Sequence, residues 1–156
     1  MKTGPAIAPR ARASLRMALL EEEFGELLKQ FLIDLQSLFR SRTKDLKITM
    51  PQVILVSSIP TDGIDMTSLA QQIGVDNSTM TRLVGVLMKD GIAIKKKNPR
   101  DGRSMLVLLT KRGESLQYKL EVEIDKFGSD LFRKVPMEDQ EEVKEILYNF
   151  HWIVSK

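Results

Sequence analysis

The residues of this sequence with the clearest chemical potential form a polar and cationic group in the middle of the chain. The group consists of Asn77, Ser78, Thr79, Thr81, Arg82, Lys95, Lys96, Arg100 and Arg103. Amide and guanidinium groups can pair bidentately with adenine and guanine edges, and hydroxyl and ammonium groups contact bases or phosphates. These residue types therefore favour contact with nucleic acid, whereas Ser78 and Thr79 are equally suited to capping a helix.

Positive charge is concentrated in the same part of the chain. Residues 76–112 contain nine Lys/Arg and three Asp/Glu, a net charge of +6, whereas the whole chain of 156 residues carries +3. Such a patch is expected of a protein that binds phosphate backbones, and a solvated charged surface is the alternative. Asp101 stands out there as an acidic residue. It either holds Arg103 or a neighbouring backbone N–H in position, or forms an Asx turn before Gly102.

Catalytic and metal chemistry have few candidate residues here. The chain has no cysteine and a single histidine, His151. A thiolate nucleophile is therefore impossible, and the cysteine and histidine ligands of a usual zinc site are missing. A glycine-rich phosphate loop is also absent from the sequence. We therefore expect no enzymatic activity, no metal and no cofactor. Without a long apolar run or a signal peptide, we expect a cytoplasmic protein with no membrane contact.

Two short helices joined by a tight turn should position the first half of the polar group. Asp65 is a suitable N-cap for a helix over 66–73, which Gly74 would end. Asp76 is a suitable N-cap for the next helix, over 77–89. This spacing is typical of a helix-turn-helix unit, and its second helix would carry the polar segment.

A β-hairpin is predicted directly after the second helix. In residues 92–95 and 104–109 the sequence pattern repeats at nearly every second position, as in a β-strand. The turn-forming run 98–103 lies between these two segments. The tip of this hairpin would carry Arg100 and Arg103. A basic hairpin after a helix-turn-helix is a wing, and an Arg at its tip can enter a minor groove.

Amphipathic helices flank this lobe on both sides. Apolar residues at steps of three and four predict helices over 14–41, 111–135 and 137–154, and a shorter helix over 49–58 precedes the helix-turn-helix. A 28-residue helix is about 42 Å long, more than a compact domain of this size needs. A two-fold partner would cover its apolar stripe, so we expect a homodimer, with a monomeric helical bundle as the alternative.

The predicted fold is mainly α with a small β-hairpin wing: a winged helix-turn-helix flanked by N- and C-terminal dimerisation helices. We expect a single domain over residues 1–156. Its parts are a flexible tail over 1–13, dimerisation helices over 14–48 and 111–156, and a winged-helix DNA-binding lobe over 49–110.

Residues 65–113 resemble the MarR family (multiple antibiotic resistance regulators). The matching pieces are LAQQIG at 69–74, STMTRLV at 78–84, DGR at 101–103 and LLTKRG at 108–113. The resemblance implies a homodimer, held by its terminal helices, that binds a pseudo-palindromic operator in double-stranded DNA. Most members repress transcription, often of a neighbouring gene. Many release DNA when a small, frequently aromatic acid enters a cleft between the dimer helices and the DNA-binding lobe.

The resemblance also implies roles for single residues. Arg103 would be the wing arginine, and Asp101 the residue that orients it. The sequence departs from the family pattern where Gly102 replaces a common Arg, and where Lys95 and Lys96 replace a frequent Arg pair. No ligand-binding residue is indicated. The other function weighed is a winged-helix interaction module that dimerises without specific DNA binding, but the polar helix face and basic wing favour DNA.

Overall fold

The computed structural model describes residues 9–99 and 101–155, and the side chains of residues 20–99 and 101–155. The predictions for the first eight residues and for Arg100 lie outside the described residues. The chain divides at Ser41 into two compact units, which are treated separately. The described part is mainly helical with one small antiparallel sheet, which confirms the predicted fold class.

Helix α1 (Pro9–Thr43) makes up the described part of the first unit and ends two residues inside the second. It begins five residues earlier than predicted, within the stretch expected to be a loose tail. Many large side chains of α1 are exposed, namely Leu20, Phe24, Leu27, Phe31, Leu32 and Ile33.

The second unit opens with three helices at the predicted places: α2 (Met50–Ser58), α3 (Met66–Ile73) and α4 (Asn77–Lys89). The segment between the helices predicted over 14–41 and 49–58 contains the end of α1 and a 3-10 turn over Lys44–Leu46. Gly74 ends α3 with φ of +76°, a left-handed conformation that favours glycine.

A three-stranded antiparallel sheet forms the wing and its base. It contains β1 (Ile64–Asp65), β2 (Ala93–Lys97) and β3 (Met105–Leu109) in the order β1-β3-β2. The hairpin of β2 and β3 was predicted, whereas β1 was not. Two residues are too few to show an alternating pattern, and β1 exists only because it pairs with β3, about 40 residues further along the chain.

The buried face of the hairpin is set by strand pairing. Ala93 pairs with Leu109 and is buried, whereas the larger Ile94 pairs with Leu108 and is exposed. Apolar character along β2 therefore does not identify its inner face. Val107 at the centre of β3 is completely buried.

Two helices complete the second unit: α5 (Lys111–Phe132) and α6 (Gln140–Val154). Helix α5 ends three residues before the predicted boundary, because the N–H groups of residues 134 and 135 each bond to the carbonyl three residues back and tighten the last turn. The first residues expected in α6 instead form a 3-10 turn, Met137–Asp139.

The core of the second unit lies where α2, α3, α4, the sheet and α5 pack together. Its largest fully buried side chains are Leu55, Val56, Ile59, Leu69, Met80, Val84, Leu87, Val107 and Leu120. Gln117 of α5 donates hydrogen bonds to the carbonyls of Val56 and Ile59, at 2.9 and 3.0 Å. These bonds satisfy carbonyls at the end of α2 that no helical N–H can reach, and they fix α2 against α5.

Helix α6 contributes no buried side chain to this core. The apolar pattern of this helix predicts an inward face of Val143, Ile146, Leu147, Phe150, Ile153 and Val154. All of these are exposed in the single chain except Phe150, which is half-buried. Among residues 9–99 and 101–155, none of the helices combines the length and the apolar character needed to span a bilayer.

Candidate nucleic-acid interface

The polar segment of the sequence forms the first turns of α4, and a single carboxylate organises it. Oδ1 of Asp76 accepts the backbone N–H groups of Ser78 and Thr79, both at 2.9 Å. The hydroxyl groups of the same two residues donate to Asp76 at 2.5 and 2.8 Å. These bonds, led by that from the Ser78 hydroxyl, hold the pKa of Asp76 well below its usual range.

The hydroxyl protons on this face therefore point toward the protein. Because the carboxylate of Asp76 is ionised, it can only accept, and Ser78 and Thr79 must be the donors. Thr81 behaves similarly, since its hydroxyl donates to the carbonyl of Asn77 at 2.8 Å. The lone pairs of these oxygens remain available, so this part of the surface presents mainly acceptors.

The opposite side of α4 anchors the helix in the lobe. Met80, Val84 and Leu87 are completely buried there. Since these positions follow steps of four and three, the intervening polar positions must face outward. Asn77, Ser78, Thr81 and Arg82 are accordingly exposed, and Thr79 is half-buried.

The tip of the wing is held by a compact set of hydrogen bonds. Asn98 and Ser104 bond to each other through backbone and side-chain atoms, both at 3.0 Å. Oδ1 of Asp101 accepts the backbone N–H of Arg103 at 3.0 Å. Among the described residues no ion pair joins Asp101 to the guanidinium of Arg103. Asp101 thus shapes the turn through the backbone N–H two residues on, which is the Asx turn considered from the sequence.

The cations of the wing sit along β2 and at its tip. Lys96, Lys97 and Arg103 are exposed, and Lys95 is half-buried opposite Val107. Lys97 precedes the turn, in register with Met105, and offers a cation as accessible as that of Lys96. It was not among the predicted site residues, although its place in a run of three lysines was a visible signal.

The base of the wing is fixed against α5 by close packing. The hydroxyl of Thr110 donates to the carbonyl of Gly91 at 2.7 Å and accepts the N–H of Gly113 at 3.1 Å. A Cβ at Gly113 would lie only 2.1 Å from the carbonyl oxygen of Ile92. The motif LLTKRG therefore has a structural meaning: its threonine ties α5 to the start of β2, and its glycine lets the two backbones meet.

The structure brings the polar helix face and the wing into one unit, with β2 packed against α4. The arrangement presents hydrogen-bonding side chains on a rigid helix beside a cationic hairpin. Residues 48–105, which contain both features, match the model of the MarR family.

Individual proteins and solved structures are also similar to this chain. A segment of 89 residues is 29% identical to the uncharacterized HTH-type transcriptional regulator YhbI of Bacillus subtilis (strain 168), and covers 56% of this chain. That alignment spans 58% of the length of YhbI, less than two thirds of the relative.

Two solved structures share the fold. The reduced form of MarR from E. coli matches with a TM-score of 0.71 and 23% identity, over 81% of this chain and 94% of that one. CouR from Rhodococcus jostii RHA1, solved bound to p-coumaroyl-CoA, matches with a TM-score of 0.69 and 18% identity, over 84% and 93%. At these identities the likeness establishes a common winged-helix architecture.

Proposed function

We propose that this protein is a sequence-specific DNA-binding transcription regulator of the MarR family. The observation that carries the proposal is the first half of α4, which exposes Asn77, Ser78, Thr81 and Arg82 while its opposite side is buried in the lobe. A polar helix face held this rigidly suits insertion into a major groove. The wing beside it carries exposed cations for the phosphate backbone or the minor groove.

The proposed DNA contacts are those expected from the sequence. Asn77, Ser78, Thr79, Thr81 and Arg82 would face bases, and Lys95, Lys96, Arg100 and Arg103 would contact backbone or minor groove. Asp101 supports the turn that presents Arg103. Arg82 is well suited to a guanine, because within the described residues it has no acidic partner that would compete.

The regulator would act as a homodimer. Exposed apolar side chains on α1, and separately on α6, are more numerous than scattered surface residues require. A second copy that covers them would also supply a second recognition helix. Two such helices roughly 34 Å apart enter successive major grooves on one side of B-DNA, so the operator should be pseudo-palindromic.

Repression of nearby genes and release by a small aromatic or acidic ligand complete the proposal. Both follow the family resemblance, and CouR, which has a similar fold, was solved bound to an aromatic acyl thioester, p-coumaroyl-CoA. The protein would work in the cytoplasm and carry out no catalysis.

Selection of bound duplexes from a random DNA pool, at about 0.15 M salt, tests the proposal. We expect a two-fold symmetric motif with half-sites about one helical turn apart. The absence of any enriched motif, together with heparin retention that does not fall with salt, would contradict DNA binding. The winged-helix interaction module would then be the better description.

A further inference from the structure

A groove in the second unit opens where the segment before α2, the end of α4 and the start of α5 meet. Its volume is about 670 Å³. It is lined by four cationic and two acidic side chains: Lys47, Lys89, Arg112, Lys119, Asp45 and Asp90. None of the residues assigned to DNA contact lines this groove.

The cations of the groove are not neutralised by the protein. Within the described residues, none of the four belongs to an ion pair. Of the two acidic groups, Asp90 already accepts a hydrogen bond from Nε2 of Gln52 at 3.1 Å. The cations around the groove repel each other, and an anion bound between them would be attracted to each of them. The lining therefore has an excess of two positive charges available to a ligand.

The end of α4 also lines the groove. Arg112 of α5 lies beside Gly91, where an added Cβ would be 3.9 Å from its Nη1 atom. Gly91 ends the turn that leads from α4 into β2, with φ of +67°. Ile92 and Leu116 add apolar surface to the same groove, so the charged rim surrounds a partly apolar floor.

We propose that this groove binds a phosphate monoester of a small organic molecule. A phosphate monoester carries a charge of about −1.5 to −2 at neutral pH, which matches the excess of two cations. The guanidinium of Arg112 can hold two phosphate oxygens in a planar fork. The volume lies within the usual range for small-molecule sites, about 300–1,000 Å³, and leaves room for an organic group on the apolar floor.

Occupancy of the groove should change DNA affinity. The ligand would contact Lys89 and Asp90, at the end of the helix whose first turns face DNA. A ligand that binds the DNA-free protein more tightly than the DNA-bound protein lowers the affinity for DNA. This regulatory part rests on the proposed DNA binding, whereas binding of the anion does not.

Calorimetric titration of the full chain with phenyl phosphate, and with benzoate as the singly charged comparison, tests the site. We expect phenyl phosphate to bind about tenfold more tightly than benzoate, since the second charge meets the unpaired cations. Arg112→Ala combined with Lys119→Ala should weaken phenyl phosphate binding about tenfold or more. The control pair Lys111→Ala and Lys134→Ala makes the same charge change outside the groove and should alter affinity less than about twofold.

Asp90→Asn should increase the affinity for phenyl phosphate, a result that a misfolded variant would not give. Removal of one carboxylate from the rim should tighten phenyl phosphate binding about threefold, because a repulsive charge is lost while the contact to Gln52 can remain. Absence of heat from phenyl phosphate at millimolar concentration, equal affinity for benzoate, or equal loss in the control pair would each overturn the proposal. Because the titration contains no DNA, its failure is distinguishable from failure of DNA binding. Binding without any change in DNA affinity would overturn only the regulatory part.

Discussion

At the scale of single residues, Asp76 determines which hydrogen-bonding groups the first turns of α4 present to solvent. Its carboxylate takes the hydroxyl protons of Ser78 and Thr79, so these oxygens face outward as acceptors. DNA phosphates offer only acceptors, whereas the N6 amino group of adenine and the N4 amino group of cytosine offer donors in the major groove. The exposed Ser78 should therefore contact a base edge, and the positive charges should contact the backbone.

Replacement of Ser78 tests this division of roles. Ser78→Ala should reduce discrimination at one base pair by about 1 kcal/mol and leave the dependence of affinity on salt unchanged. The helix should persist, because both backbone N–H groups still bond to Asp76. Lys96→Ala is the matched control and should lower the salt slope by about one with uniform weakening across sequences. A reduced salt slope in Ser78→Ala would show that the hydroxyl contacts phosphate instead.

Arg103 is the second residue with a measurable contribution. The turn that Asp101 holds presents its side chain to solvent at the wing tip. Arg103→Ala should weaken operator binding by about 1–3 kcal/mol if the guanidinium enters a groove. Lys134→Ala, an exposed cation outside the wing, is the control for charge in fluorescence anisotropy titrations. Equal affinity of Arg103→Ala and wild type would mean that the wing makes no contribution.

At the scale of elements, the wing depends on how closely α5 approaches the start of β2. Thr110 joins the two elements through its hydroxyl, and Gly113 sits where no side-chain atom fits. A displaced α5 would carry β3 with it, because Thr110 follows that strand directly. Stability and wing position are therefore linked at this junction.

Two glycine substitutions in helices should have opposite effects on stability. Gly113→Ala should lower the free energy of unfolding by about 3 kcal/mol, because its Cβ would overlap the Ile92 carbonyl. Gly85→Ala, with nothing within 4 Å of its added Cβ, should raise it by about 0.4–1 kcal/mol through helix propensity and lower entropy of the unfolded chain. Urea denaturation measures both. A neutral Gly113→Ala would refute the close approach of the two backbones.

At the scale of the whole molecule, α1 and α6 each expose large apolar side chains to water, which is unfavourable for a single chain. Leu27 is 66% exposed in the first unit and Ile153 72% exposed in the second. Burial of such side chains stabilises an assembly by roughly 25 cal/mol for each Å² of apolar surface removed from water. This is why we propose that the functional molecule is a dimer.

Leu147 offers a direct test of that assembly. Leu147→Glu places a charge on the apolar side of α6 and should shift the protein toward monomer, because a charge buried in an interface without a partner is costly. The variant should still fold, since Leu147 is 62% exposed in the single chain. Asn149→Glu adds the same charge on another side of α6 and should leave the dimer intact. Sedimentation velocity at micromolar concentration distinguishes these outcomes, and dimeric Leu147→Glu would exclude α6 from the interface.

The boundaries of α3 and α4 were predictable because local chemistry defines them. Asp65 and Asp76 are N-caps in the structure, and Gly74 adopts the left-handed conformation that ends α3. Each of these signals acts over about one helical turn and requires no knowledge of the rest of the chain. The residue types of the candidate interface can be taken directly from the sequence.

Features that depend on distant partners were not available from the sequence. Strand β1 forms only by pairing with β3, and the buried face of β2 follows from the same register. The groove likewise unites Lys47 with Arg112, residues far apart in the chain. The sequence by itself determined the ends of α3 and α4, the helix-turn-helix spacing and the chemical types on its surface, because these arise from contacts between near neighbours. Tertiary structure alone decided the third strand, the inward-facing residues of β2 and the charged groove, because long-range packing sets them.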